Sequence, residues 1–284
     1  MRTLGGEMTQ LPTSTNATKS RLDAIEFPGR RGNTIAMSTI GDPCVRRLWM
    51  KFHWVGPVEV ISLRLRNLFD TGTRAEDFIV KDLERIGIKV TNRQEELWGF
   101  MDHAHGYTDG RCENVPDAPK TQHLLEIKTH NDKYFNTLKK KGVEKGFPKH
   151  YAQCQRYMRG TKLTRTLYIG YNKNTSEYYV ERLRYDASFC DDLDRVEQQV
   201  IMTDEAPKKI FERSWFECKF CELHANCHDG APPAKNCRTC IHVDRQTEGR
   251  WICTHPSITG EPISIPKEIQ LEGCQAYIPF EIGD

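Results

Sequence analysis

Gly106-Tyr-Thr-Asp109-Gly110, followed by Glu126-Ile127-Lys128, are the two short runs on which the fold of this chain turns. Residues 123–128 are apolar with β-branched content and read as a strand. Side chains alternate along a strand, so Glu126 and Lys128 share one face while Ile127 points to the other, into a core. Asp109, between Thr108 and Gly110, falls at the end or bend of the preceding strand, where a glycine permits close approach to a metal.

Working outward, residues 88–91, 96–101 and 106–111 are also strand-like and are expected to join 123–128 in one sheet. Upstream, residues 44–52 read as a short helix opened by Pro43 at a first-turn position. A longer helical pattern follows in two stretches, Leu65, Leu68 and Phe69 before Gly72, then Ile79, Leu83 and Ile86, with Glu76 inside it. Downstream, residues 131–145 and 149–158 are helical, the second opened by Pro148. Strands return at 167–171 and 178–183, and a helix over 188–202 leads into a cysteine-rich end. The order helix, strands, helices, strands predicts an α/β core with a mixed sheet.

The chain has 284 residues, 38% hydrophobic and 28% charged, enough for one substantial core and a small accessory module. Residues 1–36, polar and carrying Arg30-Arg31, are expected to form a flexible arm; 37–229 form the core and 230–284 a C-terminal cysteine-rich module. A net charge of +2 means that any nucleic-acid affinity comes from a local basic surface. Tyr134, Phe135 and the lysines of 139–149 are candidates for such a groove, rings stacking on bases and ammonium groups meeting phosphates. No apolar run of about eighteen residues and no hydrophobic leader is present, so a membrane partner is excluded and a cytoplasmic location expected, the host's if the chain is phage-encoded.

In that compartment clustered cysteines are metal ligands more often than disulfides. Cys44 stands before the core and Cys218, Cys221 and Cys227 after it; four thiolates there suit an iron–sulfur cluster or zinc. Cys237, Cys240, Cys253 and Cys274 read as a four-thiolate zinc ribbon. A rival partition joins Cys218, Cys221, Cys237 and Cys240, a CxxC pair separated by fifteen residues, and strands the other four. His224, His228, His242 and His255 are available as substitutes in either site, whereas Cys112, Cys154 and Cys190 read as buried thiols.

Hydrolysis of a phosphodiester needs a cation held by carboxylates, a water beside it, and positive charge on the developing phosphorane; Asp109, Glu126 and Lys128 offer those parts. The ordered set Gly72…Glu76, Gly106-Tyr-Thr-Asp109, Glu126-Ile-Lys128 and Gln153…Tyr157 resembles the PD-(D/E)XK nuclease superfamily, and within it the RecB-like exonucleases of the Cas4 and AddB type, over roughly residues 37–228. The resemblance implies a restriction-endonuclease-like core. It implies a Mg²⁺ or Mn²⁺ ion on Asp109 and Glu126, with the Ile127 carbonyl as a further ligand, and Lys128 acting on the attacking water or the transition-state charge. Glu76 stands where RecB-like members place a metal-binding histidine, and Gln153 and Tyr157 match a substrate-positioning pair. It favours a 4Fe–4S cluster, with zinc as the alternative, on Cys44, Cys218, Cys221 and Cys227.

The activity implied is a metal-dependent DNA exonuclease serving recombination, repair or phage genome processing. DNA, single-stranded or as duplex ends, is the expected partner, with an annealing or recombination protein as a candidate second one. The alternatives are a structure-selective or site-specific endonuclease on the same core, or a non-catalytic nucleic-acid-binding zinc protein.

Overall fold

The computed structural model describes residues 16–258 and 262–283. Its centre is a five-stranded mixed sheet whose strands lie side by side in chain order: β1 (Lys89–Thr91), β2 (Gly110–Glu113), β3 (His123–His130), β4 (Arg165–Asn172) and β5 (Tyr178–Arg184). Every neighbouring pair is antiparallel except β3 and β4, which run parallel with Glu126 opposite Tyr168. Parallel neighbours need a crossover, supplied here by two helices, α3 (Asp132–Gly146) and α4 (Pro148–Thr161). The Asn131 side chain caps α3 by accepting the Tyr134 N–H at 3.0 Å, and Pro148 starts α4 where no amide partner is needed.

Three further helices enclose the sheet: α1 (Val45–Phe52), α2 (Leu63–Arg85) and α5 (Ala187–Met202). Cys44 is the residue that caps α1, its sulfur accepting the Arg47 N–H at 3.4 Å, so Pro43 precedes the cap instead of occupying the first turn. The alternation along β3 sorts its two faces. Leu125 and Ile127, with Leu167 and Ile169 of β4, pack on Ala75, Ile79, Val80 and Leu83 of α2. Glu126, Lys128 and His130 lie on the face that α4 covers.

The helical pattern broken at Gly72 is one continuous helix, and a Cβ at Gly72 would meet nothing. Only its second half is buried. Leu65, Leu68 and Phe69 stand 40%, 43% and 57% exposed, so those apolar residues are not core. At about 1.5–3 kcal/mol for each fully buried aliphatic side chain, the four buried residues between 75 and 83 anchor α2 and the first half rides on them.

The four strand-like segments expected in one sheet divide between two. Glu96–Trp98 and Ala104–Tyr107 pair with each other and, through Ala104–Tyr107, with Ile35–Ala36 in a separate three-stranded sheet. The change of sheet falls at Thr108 and Asp109, and Gly110 makes it possible at φ +147°, where a side chain would press within 3.0 Å of the Thr91 carbonyl oxygen. Part of the arm expected to be flexible is also paired backbone: Glu26–Pro28 joins Val60–Ser62, and Ile35 is buried; residues 1–15 lie outside the described residues.

The C-terminal stretch shares the main core. Trp251 is buried 5.0 Å from the Phe52 ring, and Phe280 packs 5.2 Å from Trp49. Arg238, between Cys237 and Cys240, lies over Trp54 and Trp251 at 3.8 and 4.4 Å and donates to the Phe52 and Asn33 carbonyls and to Gln270. Through Arg238, Trp251 and Phe280 the described part of the C-terminal stretch packs against α1. Among the described residues no helix is long and apolar enough to cross a membrane.

Candidate active site

At the junction of the two sheets, the Asp109 carboxylate accepts the Ile127 backbone N–H at 2.7 Å through Oδ2. That bond fixes the bend before β2 against the middle of β3 and leaves Oδ1 free of that contact. Glu126, one residue earlier, is fully buried. Lys128 Nζ reaches its Oε1 at 2.5 Å, and apart from that ion pair neither carboxylate oxygen has a hydrogen-bond donor. A buried carboxylate with one cationic neighbour and no donors is costly, several kcal/mol for an ionised group. Burial, reinforced by Asp109 and held back by Lys128, pushes the Glu126 pKa up to about 7. Burial works against the Lys128 ammonium, but Glu126 and Asp109 overcome it and hold its pKa above the ordinary lysine value.

Glu76 arrives from α2. Burial and then Asp109 raise its pKa, while Lys128 lowers it, so the helix carboxyl shares the field of the strand pair. Asp109 is raised for the same first reason, burial, against the pull of Lys128 and the Ile127 amide. The structure thus brings together Glu76, Asp109, Glu126 and Lys128. The Glu126 oxygens, with Asp109 and Glu76 near them, are hard donors of the kind a divalent cation such as Mg²⁺ or Mn²⁺ takes, although among the described residues these carboxylates, like the thiols below, do not stand in a finished metal cage.

Gln153 and Tyr157 lie on α4 one turn apart, both buried. Burial raises the Tyr157 pKa, followed by Glu126, which keeps the phenol protonated beside the carboxylates. Gly106 is what lets the ring in: a Cβ there would stand 2.7 Å from the Tyr157 hydroxyl and 3.1 Å from Met37. Asp117 stays outside, its carbonyl accepting from Arg182 at 3.3 Å. The expected stacking pair is half lost, because Phe135 is buried under the Lys139 ammonium at 5.2 Å and only Tyr134 remains exposed.

Two features near the site escaped the sequence motifs. Tyr168, register partner of Glu126, has its hydroxyl 3.1 Å from His130 Nε2 and 2.9 Å from His150 Nδ1. Burial and then the Lys128 charge drive the two imidazoles down to about 4 and about 3, so both are neutral. His130 was traceable from the strand alternation, whereas Tyr168 and His150 need the β3–β4 register. The second feature is Arg93, on the loop between the sheets, whose charge lowers both Glu76 and Asp109 against burial.

The cysteines fall into two groups. Cys44, Cys218, Cys221 and Cys227 line one void of about 30 Å³, with His224 and His228. Cys237, Cys240, Cys253 and Cys274 line another of about 20 Å³, with His242. No residue lines both, so Cys218 and Cys221 lie with Cys44 and Cys227 and apart from Cys237 and Cys240. These volumes do not separate a cluster from a single ion. Burial and then the neighbouring thiols raise Cys218 and push Cys237 up to about 11. Among the described residues no group of three or more His, Cys, Asp or Glu forms a finished metal cage, so the thiols share a void without being in ligating geometry. Cys112, Cys154 and Cys190 are fully buried elsewhere.

The sequence matches no family model and no curated protein. Among solved structures it is similar to LHK-Exo in complex with dAMP, at 17% identity and TM-score 0.44, covering 60% of this chain and 87% of that chain. The alkaline exonuclease LHK-Exo from Laribacter hongkongensis is similar at 18% identity and TM-score 0.44, with the same coverage. SSO0001 is similar at 15% and TM-score 0.42, covering 74% of this chain and 91% of that one.

The raised Glu126 pKa has a stability consequence. Between its ordinary 4.5 and about 7 the folded chain holds a proton that the unfolded chain has lost, so rising pH destabilises the fold through that window, by on the order of 3 kcal/mol in full. Glu126→Gln removes the titration. In chelator, its melting temperature is expected to match the wild type near pH 5 and to exceed it by roughly 5–10 °C at pH 8. A difference independent of pH would mean that Glu126 carries an ordinary pKa.

Proposed function

We propose that this chain is a divalent-metal-dependent deoxyribonuclease, acting as an exonuclease, with Asp109, Glu126 and Lys128 as its central set. The observation that carries this reading is the fully buried Glu126 carboxylate beside Asp109, with the Lys128 ammonium as its one polar partner among the described residues. Asp109, Glu126, Glu76 and the Ile127 carbonyl would hold Mg²⁺ or Mn²⁺, which supplies Lewis-acid activation of water and of the phosphate. Lys128, protonated and partly exposed, keeps a positive charge where the phosphorane gains its negative one. Gln153 and Tyr157 position the strand from α4. A pure DNA-binding protein would gain nothing from turning three carboxylates toward phosphates.

The cysteine groups support a structural role. A cluster on Cys44, Cys218, Cys221 and Cys227 would tie α1 to a segment some 170 residues later and remove loop-closure freedom from the unfolded chain. Zinc on Cys237, Cys240, Cys253 and Cys274 would do the same within the C-terminal stretch.

Digestion of end-labelled linear and circular DNA, single- and double-stranded, tests the activity. Linear DNA is expected to be degraded in Mg²⁺ or Mn²⁺. Asp109→Ala and Glu126→Ala should each fall by roughly 1000-fold, and Lys128→Ala should lose turnover while its metal dependence is unchanged. Glu76→Gln should need more metal for half-maximal rate. Cleavage of circles would make the enzyme an endonuclease, and native rates in both the Asp109 and Glu126 variants would remove the site altogether.

Metal analysis of anaerobically purified protein tests the cysteine assignment. Iron and zinc are both expected; Cys44→Ser should lose iron and its brown colour, and Cys253→Ser should lose zinc alone. Iron-free wild type would leave zinc in the first group, and Cys44→Ser protein with undiminished metal content would contradict the grouping.

A further inference from the structure

Arg93 sits in a backbone irregularity beside the carboxylates, its stem along Gly110 and its guanidinium on Asp77, the neighbour of Glu76. Between the paired residues Thr91 and Arg111 on one side and Glu96 and Tyr107 on the other, residues 92–95 face residues 108–110, so the Arg93 side carries one residue more. Such bulges recur next to functional sites, where they re-aim a side chain. Both neighbours of Arg93 take left-handed backbone, Asn92 at φ 49° and Gln94 at φ 56°, a conformation that costs non-glycine residues about 1–2 kcal/mol each.

That strained loop is clamped in place. The Gln94 N–H donates to the Thr108 carbonyl at 2.9 Å and the Thr108 N–H to the Glu95 carbonyl at 3.0 Å, immediately before Asp109. The Glu95 carboxylate is held by both Nε and Nη2 of Arg111, at 2.7 and 2.6 Å. The Arg93 stem lies along Gly110, where a Cβ would be 3.5 Å from its Cγ.

The guanidinium so placed is lightly engaged. Among the described residues it donates one hydrogen bond, from Nη2 to Asp77 at 3.0 Å, and the two side chains are 39% and 60% exposed. A solvated pair of this kind contributes less than about 1 kcal/mol and is readily exchanged. The neighbouring arginines differ: Arg111 has both arms on Glu95 and Arg156 has both on Glu197. Lys128 is already paired with Glu126. A phosphodiester approaching Asp109 therefore finds in Arg93 a cation with donors to spare, and a guanidinium fork matches two phosphate oxygens.

We propose that Arg93 binds a backbone phosphate of the DNA strand beside the Asp109–Glu126 pair, releasing Asp77 to do so. This rests on the nuclease reading above. Asp77 then acts as a built-in competitor for the phosphate, which a merely structural ion pair would not be.

The test is fluorescence anisotropy of a labelled single-stranded oligonucleotide in EDTA, between 50 and about 200 mM salt, with cleavage assayed separately in Mn²⁺. Arg93→Ala should weaken binding several-fold at low salt and flatten the plot of log affinity against log salt by about 0.7, one phosphate contact, with an unchanged melting temperature. Arg93→Lys should fall between. Asp77→Asn should tighten binding, and that gain should vanish in the double variant with Arg93→Ala. An unchanged salt slope in Arg93→Ala, or an Asp77→Asn gain that survives without Arg93, overturns the proposal while wild-type cleavage leaves the nuclease reading standing. Wild-type protein that neither binds nor cuts DNA overturns both.

Discussion

A carboxylate buried with a single charged partner carries a free-energy cost that protonation or a bound cation removes. Glu126 lies in the middle of the central strand of the sheet, with Lys128 alone against it. Apolar packing on α2 holds that strand, through Leu125 and Ile127, so the carboxylate has no freedom to escape to solvent. The fold thus imposes on Glu126 a cost that a bound cation would reverse, the exchange of stability for function common at active sites. Around it the Ile127 amide fixes the Asp109 carboxylate, and α4 covers the face with the buried Cys154 and Tyr157.

The second organising feature is the crossing between the two sheets. Two chain segments pass from one sheet to the other at the same place, and one of them carries Asp109 and the other Arg93. Gly106 and Gly110 bracket the crossing for different reasons, the first to admit the Tyr157 ring and the second to adopt a left-handed turn. A side chain at either position would press on this crossing, at Gly106 against the Tyr157 ring and at Gly110 against the Thr91 carbonyl and the Arg93 stem.

The helices and strands of the main sheet were legible from periodicity, because these depend on local pattern, and the ordered motifs singled out Asp109, Glu126 and Lys128, which the fold sets side by side. Three things were not. The split into two sheets depends on the backbone at Gly110, which residue identity alone does not reveal. The exposure of Leu65, Leu68 and Phe69 depends on what α2 packs against, since their helical spacing is the same as that of the buried Ile79 and Leu83. Arg93 and Tyr168 owe their places to register, a one-residue bulge in one case and a parallel pairing in the other. The cysteine spacing left two partitions open, and the burial of Trp251 and Arg238 against α1 places the C-terminal thiols in a void of their own.

The central claim is that Glu126 and Asp109 together hold a divalent cation, and Mn²⁺ titration calorimetry addresses it most directly. With the Glu126 pKa near 7, binding at pH 7 must displace a proton, about half an equivalent from that group, revealed by repeating the titration in buffers of different ionisation enthalpy. The account predicts one Mn²⁺ site at these residues, proton release that fades by pH 9, and loss of that release with weaker binding in Glu126→Gln. Absence of Mn²⁺ binding, or binding whose proton release is the same in Glu126→Gln, would contradict it.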